Sequence, residues 1–104
     1  MPEEGLRIDF ERSGGVAGAM IRVSVDAREL PEGEARDLER LVDRVDLPEL
    51  ERRQPTPSRR PDRFQYDLVV TRGGSRHHVS VGEADLPGEL RPLLERLLEL
   101  ARRR

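Results

Sequence analysis

Leu6, Ile8 and Phe10 alternate with Arg7, Asp9 and Glu11, and further on Ile21, Val23 and Val25 alternate with Arg22, Ser24 and Asp26. A period of two sends successive side chains to opposite faces of a strand. These runs therefore predict two strands, about residues 5–12 and 19–26, each with one face buried. Between them lies Arg12-Ser13-Gly14-Gly15-Val16-Ala17-Gly18, whose glycines can take the positive φ angles of a tight reversal. The segment reads as a β-hairpin.

The period then changes. Ala35, Leu38, Leu41, Val42 and Val45 recur at steps of three and four, with Arg36, Glu39, Arg40 and Arg44 between them. That stripe predicts an amphipathic helix over about 31–46. Pro31 suits its first turn, Glu32 and Glu34 favour the positive end of its dipole, and Pro48 limits its continuation. From Glu51 to Asp62 the chain carries Pro55, Pro57 and Pro61, four arginines and almost nothing apolar. An extended surface loop over 51–62 is expected.

Strand alternation returns in Phe64, Tyr66, Leu68 and Val70, with Val69 the lone apolar residue on the second face, and again in His77, Val79 and Val81. Strands over about 63–71 and 76–82 follow, joined by a turn at Arg72-Gly73-Gly74-Ser75. Leu90, Leu93, Leu94, Leu97, Leu98 and Ala101 then mark a second amphipathic helix, about 88–103. Pro92 is tolerated only near its start, and Arg102, Arg103 and Arg104 complement its negative C-terminus. The order β-β-α-β-β-α predicts an α+β domain: a four-stranded, mainly antiparallel sheet with two helices packed on one face.

Composition narrows the function. A chain of 104 residues has room for one core, so residues 1–104 are expected to form a single domain. There is no cysteine, which removes disulfides, thiolate nucleophiles and zinc–thiolate sites. The acidic start Met1-Pro2-Glu3-Glu4-Gly5 lacks the basic opening and apolar stretch of a secretory signal. No apolar run approaches the ~20 residues of a membrane helix. A cytoplasmic protein is expected. Charged residues make up 38% of the chain but nearly cancel, at a net −2, so long-range attraction to nucleic acid or membrane is not expected. All 19 basic residues are arginine, a bias read as compositional.

Catalytic chemistry finds little to work with. His77 and His78 are neighbours on a strand and point to opposite faces, so they cannot share one metal in the usual way. His77, on the face of Val79 and Val81, reads as a histidine at the core edge, and His78 as a solvated one. Phosphate-cradling glycine loops open a helix, whereas Gly14, Gly15 and Gly18, like Gly73 and Gly74, join strands. No carboxylate pair stands beside a group that would shift its pKa. The aromatic residues Phe10, Phe64 and Tyr66 share strand faces with aliphatic ones, which assigns them to the core rather than to base stacking. No enzyme, no metal site and no cofactor is expected.

Five segments together resemble a known family. They are Phe10-Glu11-Arg12-Ser13-Gly14-Gly15-Val16-Ala17-Gly18, Leu38-Glu39-Arg40-Leu41-Val42-Asp43, Asp62-Arg63-Phe64-Gln65-Tyr66, His78-Val79-Ser80-Val81-Gly82 and Leu90-Arg91-Pro92-Leu93-Leu94. In order and spacing they resemble the emfourin family, small cytoplasmic inhibitors of protealysin, a thermolysin-like zinc metalloprotease. The resemblance implies a protein that binds the protease cleft tightly and blocks substrate without catalysis of its own; any zinc would be the protease's. The loop Arg52 to Pro61 is richer in Arg and Pro than the resemblance leads one to expect, which leaves the particular target open.

A cleft made for extended peptides is best filled by a convex, pre-ordered loop, because ordering a floppy one costs about 0.5–1.5 kcal/mol per immobilised side chain. The hairpin tip suits that need. Arg12, Ser13, Gly14, Gly15, Val16, Ala17 and Gly18 are thus the candidate protease-binding residues, with Val16 offering an apolar contact and Arg12 a charged one. The bland alternative is that the glycines only permit the turn. Arg59 and Arg60 on the Pro-rich loop are secondary candidates, since prolines pre-order an exposed segment. The free protein is expected to be a monomer. The competing reading is a non-catalytic interaction or dimerisation module using the sheet face or an edge strand, with nucleic-acid binding a distant third.

Overall fold

A computed structural model describes residues 5–15, 18, 20–53 and 63–103. The four alternating segments are strands: β1 (Leu6–Gly14), β2 (Ile21–Asp26), β3 (Phe64–Arg72) and β4 (Ser75–Gly82). They form one sheet in the order β2-β1-β3-β4, and each of the three pairings is antiparallel. The pairing of β1 with β3 joins the two hairpins. It sets Ile8 between Val25 and Val70, and Phe10 between Val23 and Leu68.

That register collects the apolar strand positions on one face, with Val69 alone on the other. Leu6, Ile8, Phe10, Val23, Val25, Tyr66, Leu68, Val70, Val79 and Val81 are buried there. On the other face Asp9 accepts a hydrogen bond from the Ser24 hydroxyl, Arg22 pairs with Glu11 at 3.5 Å, and His78 lies 3.7 Å from Asp67. The Ser24 hydroxyl is the main reason the Asp9 carboxyl titrates below its ordinary value.

The helices differ from expectation in number and in length. α1 spans Glu32–Asp43 and stops three residues before the expected end. There Val45 donates its N–H to the Val42 carbonyl at 3.0 Å. A separate short helix, α2 (Leu47–Arg53), follows, so the first residues of the expected loop are helical. The physical reason is a new start signal. The Asp46 side chain accepts the Glu49 N–H at 3.2 Å, and Pro48 falls in the first turn, where its missing N–H would have no partner. The third helix, α3 (Arg91–Arg102), carries Pro92 at its start and begins three residues after the expected position, because a turn closed by Leu90 N–H to Pro87 carbonyl, 3.1 Å, comes first. Single turns of 3-10 helix occupy Ala27–Glu29 and Glu83–Asp85.

Leu38 and Val42 of α1, Leu47 and Leu50 of α2, and Leu93, Leu94, Leu97 and Leu100 of α3 belong to the same buried cluster as the strand residues. At about 25 cal/mol per Å² of apolar area removed from water, this shared cluster is the main source of stability. Contacts run from α3 to β2, from α1 to α3, and from α2 to β4. Among the described residues no helix is long and apolar enough to cross a membrane.

Candidate functional site

The β1–β2 turn is built on an asymmetry in β1. Pairing with β2 stops at Arg12↔Ile21, while pairing with β3 continues through Ser13↔Gln65 to Gly14↔Phe64. The first side of the tip is thus tied to the start of β3. Gly14 and Gly15 both have φ of 86°, a region L side chains rarely adopt. Gly15 donates its N–H to the Arg63 carbonyl at 3.2 Å, and Gly18 donates to the Gly15 carbonyl at 3.1 Å.

Space is as restrictive as torsion here. A Cβ on Gly14 would stand 2.4 Å from the Arg63 carbonyl oxygen, and one on Gly15 would stand 2.5 Å from Cε1 of Phe64. Gly18 has a φ of 68° with open space around it. The first two glycines therefore seat the tip against residues 63–64, and Gly18 serves conformation alone.

Phe64 is held on several sides. Its N–H donates to Glu83 Oε1 at 2.9 Å. The Arg12 guanidinium lies over its ring, 4.1 Å from the centroid, and Tyr66 tilts against it at 6.4 Å, with Phe10 stacked beyond at 6.3 Å. Burial, reinforced by the nearby Glu83 charge, raises the Tyr66 pKa.

Placement sorts the residues expected to bind. Gly18 is exposed, Arg12, Ser13 and Gly14 are half-buried and Gly15 is buried, so Gly15 presents little surface to a partner. Arg12 is engaged with Phe64. Val16, Ala17, Arg59 and Arg60 lie outside the described residues. Arg63, the first described residue after the Pro-rich segment, lies beside Gly15, because its carbonyl is the acceptor for the Gly15 N–H.

The histidines do fall on opposite faces. His77 Nδ1 lies 3.1 Å from Glu51 Oε1, and the His78 N–H donates to Glu51 Oε2 at 3.0 Å. These two contacts, the backbone one first, hold the Glu51 carboxyl below its ordinary pKa. Glu51 clamps α2 onto β4 and occupies an outward N–H of that edge strand. Among the described residues no group of three or more His, Asp or Glu is placed to hold a metal.

Sequence reasoning missed Phe64, Glu83 and Met20. Nothing local announces that Phe64 meets Gly15, since the contact depends on the β1–β3 register. Met20 did carry a signal, because it shares parity with Arg22 and Ser24 and so faces away from the core.

No curated protein and no solved structure matches the chain. The family model Emfourin matches residues 10–98, which takes in the second half of β1, all of β2, β3 and β4, α1, α2 and most of α3. The chain belongs to the Emfourin family.

Proposed function

We propose that this protein inhibits a thermolysin-like zinc metalloprotease of the protealysin type by seating its β1–β2 tip in or against the active-site cleft and excluding substrate. Membership of the family supports a protease-inhibitor role and a protease partner. The observation that carries the finer reading is the seating of Gly14 and Gly15 on Arg63 and Phe64. A foot seated in this way lowers the ordering cost of docking through the hairpin, which favours tight binding without a large interface.

In this reading residues 1–104 act as one inhibitor domain, monomeric when free and resident in the cytoplasm. Arg12 to Gly18 form the primary contact region, with Val16 its apolar point, and Arg59 and Arg60 flank it. Glu51 on the β4 edge disfavours strand pairing through that edge, and the rival reading of a dimerisation module is left to the β2 edge and the open sheet face.

The test is titration of a thermolysin-like metalloprotease with the purified protein, following cleavage of a peptide substrate. Stoichiometric, substrate-competitive loss of activity is expected. A folded protein that leaves the protease fully active at excess overturns the proposal. Val16→Asp locates the contact, since unchanged potency removes the tip from the interface. Shortening the 54–61 segment without loss of potency removes Arg59 and Arg60.

A further inference from the structure

Met20 stands at the other foot of the tip, opposite the glycine seat. It is 55% exposed and, among the described residues, the one large hydrophobic side chain on the surface. A single exposed apolar residue carries no message by itself. Three features give this one meaning.

Met20 precedes β2, on the side of the tip that is not tied to β3. Its exposure and its contact with Arg22, whose side chain lies on the open face of the sheet, put it away from the core, so folding gains little from its apolar character. Its sulfur also has a neighbour on that face. An Arg22 guanidinium N–H reaches Met20 Sδ at 3.4 Å, and the same guanidinium nitrogen is braced by Glu11 at 3.5 Å. An unbranched, adaptable thioether can fit an irregular apolar pocket.

We infer that Met20 is a contact residue of the inhibitory surface, inserting into an apolar side-chain subsite of the protease cleft, so that the interface runs from the tip onto the open sheet face. This inference rests on the inhibitor reading given above.

The experiment measures inhibition constants against a thermolysin-like metalloprotease for the full chain and for Met20→Asp, Met20→Ala and Met20→Leu, with a thermal melt of each. Met20→Asp is expected to weaken inhibition at least about tenfold and Met20→Ala in the same direction. Met20→Leu should stay within about threefold of the parent, and all four melting temperatures should agree. Equal potency of Met20→Asp and the parent overturns the inference while leaving the inhibitor reading intact. Failure of the parent itself to inhibit overturns both. If Met20→Asp melts lower, Met20→Ala decides: full potency in that variant rules the contact out.

Discussion

The Arg12 guanidinium lies over the ring of Phe64, 4.1 Å from its centroid, at the foot of the β1–β2 tip. Arg12 comes from the strand that leads into the tip and Phe64 from the strand that begins beneath it, 52 positions later in the chain. A cation on an aromatic face contributes about 0.5–1 kcal/mol where water has access. A double-mutant cycle of Arg12→Met and Phe64→Leu in urea is expected to return a coupling of that size. Strict additivity would show that the pair does not interact.

Gly15→Ala places a methyl group where Phe64 Cε1 already stands and forces alanine to a φ of 86°. Destabilisation of about 1–3 kcal/mol is expected, with a loss of inhibition beyond what the melt explains. Adding Phe64→Leu should recover part of that stability. Gly18→Ala, which meets open space, should cost less than Gly15→Ala. The ranking is read from denaturant midpoints.

Glu51 should make stability fall in acid. Its carboxyl is held below the ordinary value of 4.5 by the His78 N–H and the His77 ring. Because the folded pKa is the lower one, the contribution is fully present above the unfolded value and is lost as the pH falls through the folded one. The parent should therefore lose melting temperature more steeply than Glu51→Gln below about pH 4.5. Parallel curves would show that the clamp has no electrostatic part.

Leu68 is fully buried in the central strand β3, beside Phe10 and Val79. Leu68→Ala leaves a cavity there and should cost about 2–5 kcal/mol. A denaturant melt checks this directly, and a cost under about 1 kcal/mol would contradict the packing described.

Much of this protein was legible in its residues. Period-two alternation marked all four strands and even their buried faces, because each strand has one dry side and one wet side. The three-and-four spacing marked the two longer helices for the same reason, and the neighbouring histidines were assigned to opposite faces from parity alone. What local pattern could not supply was register across distance. That Gly14 aligns with Phe64, and that Glu51 reaches His77 and His78, depends on which strands become neighbours. The short α2 is not legible locally, because Pro48 is both a stop for one helix and an acceptable first turn of the next, and only the packing of Leu47 and Leu50 into the core chooses between them. The sequence by itself therefore determined the four strands, the two longer helices, their apolar faces and the family. The tertiary structure decided how the tip is held, since that depends on a few atoms brought together from opposite halves of the chain.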